Sequence, residues 1–247
     1  MNPAAGMGWL RSFLIYGAFW RQPGLRRFYR PFIQPGDRVF DIGAHLGDRS
    51  LAFAALGGRV VACEPQSACQ GYLRWRLRRH PDAEVLQLAV AEHAGEASLA
   101  VSDRHPTLAT LSSAWRDRAS RAGGGFSHVR WNQQETVEVV TLSQLIERYG
   151  MPGFCKIDVE GAEPSVLAGL DRAVPMLSFE YLAGHRAAME QCLHHLDRLG
   201  PYRFNVTRGE RRRLEFDRWV DEADLLAWMD HNADDAGSGD VYARRVE

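Results

Sequence analysis

Apolar positions along this chain fall into short runs of two alternating kinds. DRVFDIGA (37–44), RVVACEP (59–65) and EVLQLAV (84–90) are brief and dense, the pattern of strands covered on both faces. Between them, DRSLAFAALG (48–57) has helical spacing and a stop at Gly57, and residues 67–79 form an amphipathic, arginine-rich stretch. Strand, helix, strand, helix, strand predicts a parallel, doubly wound α/β sheet. EASLAVS (96–102) predicts a short extra strand. Residues 136–150 predict a strand and then a helix stopped by Gly150. FCKID (154–158) is the next strand. EPSVLAGL (163–170) follows as a helix, with Pro164 in its first turn, where a missing N–H costs little. PMLSFEY (175–181) predicts a strand and residues 185–200 a helix. YRFNVT (202–207) and DVYARRV (240–246) predict the last two strands, with a helix over 217–230 between them.

Two segments break this rhythm. Residues 103–135, with Pro106 and the run Gly123-Gly124-Gly125, have the length of a functional or mobile loop. Residues 1–36 hold five arginines, several aromatic residues and no acid. Two readings stand for them: helices packed over the main domain, or a basic amphipathic helix lying on an anionic surface, as in peripheral membrane contact, or on a partner. The expected division is an N-terminal helical extension over 1–36 and one domain over 37–247.

Composition narrows the classes. With 247 residues, 45% hydrophobic and 25% charged, the chain can bury a full core without staples. Its net charge of −1 offers no field to recruit nucleic acid. Cys63, Cys69, Cys155 and Cys192 form no CxxC pair, and two of them sit in apolar runs. This fits a reduced, cytoplasmic protein with neither a disulfide framework nor a zinc site. No stretch is long enough to span a membrane.

The first chemical signal is DIGAHLG (41–47), at the carboxyl end of the first strand, where α/β sheets bind ligands. Glycine there lets a ligand approach the backbone, and helix N–H groups face it. A dinucleotide site wants GxGxxG, but only Gly43 and Gly47 are present. The turn opens with Asp41, which would repel a pyrophosphate and could pair with an ammonium. Glu64 closes the second strand, where a carboxylate can accept both ribose hydroxyls. Together they fit S-adenosylmethionine better than NAD. The alternative is a pair of tight-turn glycines in a fold that holds no ligand.

The second signal is CKIDVEGAEPSVL (155–167). Lys156 is the only lysine in the chain. Alternation along FCKID puts Lys156 and Asp158 on one side of the strand. Glu160 and Glu163 follow in the turn and the helix start, where acids suit the helix dipole. Lys156 can pair with one acid and hold it ionised, as a compact ammonium where a guanidinium would act differently.

DIGAHLG, CEP, KIDVEGAEPSVLAG, LSFE and GDVYAR together resemble the FkbM-type S-adenosylmethionine-dependent methyltransferases, from about residue 36 to the C-terminus. WRLRRHPD (75–82) and TLS (141–143) depart from the family pattern, which bears on the substrate and not on the cofactor. The resemblance implies a Rossmann-like class I methyltransferase fold with an antiparallel last strand. It implies O-methylation of a hydroxyl on a sugar, glycolipid or secondary metabolite. It also implies a cofactor site from Asp41, Gly43, Ala44, His45, Gly47, Glu64, Pro65, Ala89 and Asp158. The candidate catalytic residues are Asp158, Glu160, Glu163 and Lys156, with Glu180 behind them.

A divalent cation shared by Asp158 and Glu180 is the bolder reading; acids binding cofactor, substrate or helix ends without metal is the preferred one. His45 could touch cofactor or substrate, and His105 and His128 lie in the irregular region. No HExxH or GxSxG spacing appears, which argues against a zinc hydrolase or a serine hydrolase. An NAD-dependent oxidoreductase and a non-catalytic binding protein of the same fold are the competing classes.

Overall fold

The structure is a computed structural model that describes residues 19–101, 133–182, 184–232 and 237–246. Seven strands form the main sheet: β1 (Arg38–Ile42), β2 (Arg59–Cys63), β3 (Glu84–Leu86), β7 (Phe154–Ile157), β8 (Met176–Leu182), β9 (Tyr202–Val206) and β10 (Ser238–Arg245). Their order is β3-β2-β1-β7-β8-β10-β9. The pairs from β3 to β8 are parallel, and β10 runs antiparallel to both neighbours. This is the α/β, doubly wound, Rossmann-like arrangement that the strand and helix runs predict.

Alternation within the strands divides the core. Phe40, Ile42, Cys155, Ile157, Leu177 and Phe179 face one side. They meet α4 (Leu142–Tyr149), α5 (Glu163–Ala168), α6 (Arg186–Leu199) and α7 (Glu222–Asn232). Val39, Phe154, Met176 and Tyr242 face the other side, against α1 (Gln22–Tyr29), α2 (Asp48–Ala55) and α3 (Ser67–Leu77). On α1, Leu25 and Tyr29 are buried, and the Tyr29 ring stands 4.8 Å from that of Phe53. Residues 1–18, on which the membrane-contact reading mainly rests, lie outside the described residues. No described helix is long and apolar enough to cross a membrane. All four cysteines are free and buried.

Two expectations need correction. The run EVLQLAV is not one strand. β3 stops at Leu86, and β4 (Ala89–Val90) pairs instead with β6 (Gln133–Val140) in a second sheet of order β4-β6-β5. A continuous apolar run cannot reveal a change of sheet, because apolar residues suit both the half-buried Val85 and Leu86 and the buried Ala89 and Val90. β5 is Gly95–Val101, the short strand expected there, and β6 begins inside the stretch read as loop. The second correction concerns the helix expected over 217–230. It starts at Glu222, because the Asp221 carboxylate accepts the Asp224 N–H at 3.0 Å and so caps the helix. Val220 instead bridges to Phe204.

Candidate functional site

The carboxyl ends of β1, β2 and β7 open on a cleft of about 180 Å³. Of the residues named from the sequence, Asp41, Gly43, Ala44, His45, Glu64, Pro65, Ala89, Asp158, Glu160 and Glu180 line it. Gly47, Lys156 and Glu163 do not line it. His105 and His128 lie outside the described residues.

The turn after β1 uses its glycines differently from the expectation that they open the backbone to a ligand. Gly43 and Ala44 both donate their N–H to the Cys63 carbonyl, at 2.9 and 3.0 Å. Gly43 has φ +82°, and a side chain there would overlap the Asp158 carbonyl. Gly47 has φ +72°, and a side chain there would overlap Leu73 of α3. The glycines therefore admit neighbouring parts of the protein, which locks the turn to β7 and α3.

Glu64 is 3% exposed. Its two carboxylate oxygens accept the N–H groups of His45 (2.8 Å) and Gln66 (2.9 Å). Each oxygen keeps acceptor capacity. Burial pushes the Glu64 carboxyl up to about 7, against those two hydrogen bonds. Asp41 is also buried and accepts from the Ser50 hydroxyl. Burial raises its pKa too. His45 is lowered by burial to about 4, so its ring is neutral at pH 7. His45 (φ +47°) and Glu160 (φ +53°) are the two non-glycine residues in left-handed conformation among the described residues. Both line the cleft, where such backbone cost is commonly held.

Across from Glu64, three strands present two polar rows, the second of them acidic. Lys156 on β7, Ser178 on β8 and Tyr242 on β10 are in register. Two residues further along stand Asp158, Glu180 and Asp240. Lys156 is fully buried, with Nζ 3.0 Å from Asp240 Oδ1 and 3.2 Å from Asp158 Oδ2. Burial alone would discharge this ammonium, but Asp158 and Asp240 outweigh it and raise its pKa. Burial likewise works against the Asp158 carboxylate, and Lys156 and Arg49 overcome it and lower its pKa. For Glu180 the balance reverses: burial, then Asp158, Glu160 and Glu163, outweigh Lys156 and push it well up. Its Oε2 has no hydrogen-bond partner among the described residues. Burial, Asp158 and Glu163 raise Glu160 as well.

Glu163 serves the turn. Its Oε1 accepts the N–H groups of Val159 (3.0 Å) and Gly161 (3.3 Å), which shapes the loop carrying Asp158 and Glu160. Sequence reasoning did not single out Asp240 or Arg49. Asp240 stands in the quoted run GDVYAR, but nothing along the chain ties it to Lys156. Arg49 lines the cleft and pairs with Glu210 at 3.2 Å. Among the described residues, no three His, Cys, Asp or Glu side chains are arranged to hold a metal ion.

Residues 41–232 match the family model described as the methyltransferase FkbM domain. This chain belongs to the FkbM methyltransferase family. The family match begins at Asp41 and ends before Asp240. A curated relative is the 31-O-demethyl-FK506 methyltransferase FkbM of Streptomyces tacrolimicus, 34% identical over 163 residues. That alignment covers 57% of this FkbM-family chain and 62% of the relative's length. Among solved structures, a TehB-like SAM-dependent methyltransferase from Corynebacterium glutamicum aligns at TM-score 0.48 and 12% identity, over 99% of this chain and 100% of that one. Aeropyrum pernix fibrillarin with natively bound S-adenosyl-L-methionine aligns at TM-score 0.44 and 10% identity, over 86% and 68%.

Proposed function

We propose that this chain is an S-adenosylmethionine-dependent methyltransferase that methylates a hydroxyl of a small-molecule or glycan acceptor. The observation that carries the reading is that Glu64 and Asp158, from the ends of β2 and β7, line one cleft. Membership of the FkbM family supports it, as does a curated relative named as an O-demethyl-FK506 methyltransferase. Residues 37–247 would form the transferase domain, with 1–36 as its extension.

The residues present fit the cofactor. Glu64 keeps acceptor capacity on both oxygens, which suits a pair of ribose hydroxyls. Leu88, Ala89, Val90 and Leu99 give the cleft an apolar wall suited to a purine. Asp41 is placed to meet an ammonium, and Arg49 a carboxylate. The cofactor, when bound, supplies an electrophilic methyl group. The chain's own residues then position the acceptor and manage its proton. Asp158, kept ionised by Lys156, accepts the hydrogen of the acceptor hydroxyl. A positioned base of this kind contributes roughly 10²–10⁴ in rate, and orientation several kcal/mol of the roughly 7–11 available from proximity. Glu160 and Glu180 face the acceptor, and Glu163 holds the loop of Asp158 and Glu160 in shape.

The test is methyl-labelled S-adenosylmethionine with a panel of sugar, glycolipid and polyketide alcohols. Acceptor-dependent labelled product is expected, falling about 10²–10⁴-fold in Asp158→Asn. Label transfer that is unchanged in Asp158→Asn would remove Asp158 from the chemistry. No transfer to any alcohol, with no cofactor binding, would remove the methyltransferase reading.

A further inference from the structure

The partners of Lys156 come from different strands. Asp158 directly follows β7, whereas Asp240 lies on β10, with β8 between. At about 4.8 Å per strand spacing, the gap from β7 to β10 is about 10 Å. Ser178, small and buried, is the in-register residue of β8 beside Lys156, so the lysine stem passes a position with little side-chain bulk. Asp240 is itself anchored. The Tyr242 hydroxyl donates to its Oδ2 at 3.4 Å, and its own N–H donates to the Thr207 hydroxyl at 3.2 Å. A side chain on the preceding Gly239 would overlap the Thr207 carbonyl, so this backbone is closely seated. Asp158 is the more open partner, its side chain 27% exposed against 13% for Asp240.

We infer that Asp240 is a positioning residue: by sharing the Lys156 ammonium, it fixes the Asp158 carboxylate at the cleft and keeps that ammonium from being wholly committed to it. This rests on the reading of Asp158 as the acceptor-side carboxylate. One cation between two anions cannot neutralise both. Asp240 competes with Asp158 for Lys156 and so preserves the basicity that accepting a proton requires. Other charged or titratable groups around this trio include Tyr29 from α1, Arg49 from α2, Asp41 from β1, His45 from the first turn, Glu180 from β8, Tyr242 from β10, Glu160 from the turn after β7, Glu163 at the start of α5, and Glu210. Of these, Arg49, paired with Glu210, also lowers the Asp158 pKa after Lys156, so Asp240 governs the Lys156 share of that neutralisation. Replacing Asp240 by a neutral residue gives Lys156 wholly to Asp158. Asp158 then becomes a weaker base, and Lys156, with one anion fewer, releases its proton at lower pH.

The single lysine makes the test direct. Protein labelled with ¹³Cε-lysine gives one side-chain resonance, from Lys156, without any acceptor or cofactor. In wild type this signal should stay that of a charged ammonium through pH 10.5. In Asp240→Asn it should titrate at least about one pH unit lower than in wild type, and Asp240→Glu should move it back toward wild type. Asp158→Asn should shift it in the same direction. An Asp240→Asn titration that matches wild type would overturn the inference. So would a wild-type Lys156 that titrates like a free lysine, and that measurement decides the matter even if Asp240→Asn does not fold. Failure to bind S-adenosylmethionine would sink the methyltransferase reading without touching this signal, so the two failures are distinguishable.

Discussion

Gly43 and Asp158 are packed so closely that a Cβ on the glycine would overlap the aspartate's carbonyl oxygen. The contact joins the two sides of the cleft, the turn after β1 and the end of β7. It makes the geometry of the two sides interdependent.

Gly43→Ala should therefore destabilise the protein by about 2–4 kcal/mol, from left-handed strain together with overpacking against main chain. Urea unfolding of the variant checks this. A loss under 1 kcal/mol would show that the turn and β7 can move apart.

Lys156→Met should cost about 3–5 kcal/mol, because it leaves Asp158 and Asp240 facing each other without their shared cation. Lys156→Arg should also destabilise, since the site is fully buried and a planar guanidinium is bulkier than an ammonium. Denaturation midpoints measure both. Equal stability of Lys156→Arg and wild type would mean that the chain's single lysine has no steric reason to be one.

Glu163→Ala and Glu163→Gln should separate. The alanine variant leaves the Val159 and Gly161 N–H groups without their acceptor and should lose about 1–3 kcal/mol. The glutamine variant keeps a carbonyl acceptor and should lose less. If both lose equally, the carboxylate's charge, and not its hydrogen bonds, holds the loop.

Glu64 and Glu163 predict a pH dependence of stability. Burial raises each from 4.5 to about 7 in the folded protein. The folded state then binds more protons than the unfolded one between those values. Their contribution to stability should fall as pH rises from about 4.5 to about 7. Urea unfolding across that window reads the slope, and Glu64→Gln should reduce it. Cofactor affinity should run the opposite way, because hydroxyl donors favour the ionised Glu64. A Glu64→Gln slope equal to that of wild type would show that Glu64 is not among the groups responsible.

Much of this arrangement was legible along the chain. The glycine turn, Glu64, and the Lys156–Asp158 alternation each follow from a local run, and all but Gly47 and the lysine line the cleft. What local patterns could not show is where a contact closes over distance. Asp240 is 84 residues from Lys156 in sequence and meets it only because β10 folds back beside β8. Leu86 and Ala89 belong to different sheets, although the apolar pattern runs through both. Glu163 has the acid's helix-start position that the sequence suggests, yet its side chain turns back to bind amides and not toward the cleft. Gly43 reads as a ligand's doorway in sequence, and in space its missing side chain is filled by β7.

The most direct measurement is calorimetric titration of the wild-type protein with S-adenosylmethionine, S-adenosylhomocysteine and NAD, repeated with Asp41→Ala and Glu64→Ala. The account predicts saturable binding of the first two, no binding of NAD, and at least about tenfold weaker cofactor binding in each variant, or about 1.4 kcal/mol. Tight NAD binding, or S-adenosylmethionine binding that is unchanged when Glu64 is removed, would contradict it.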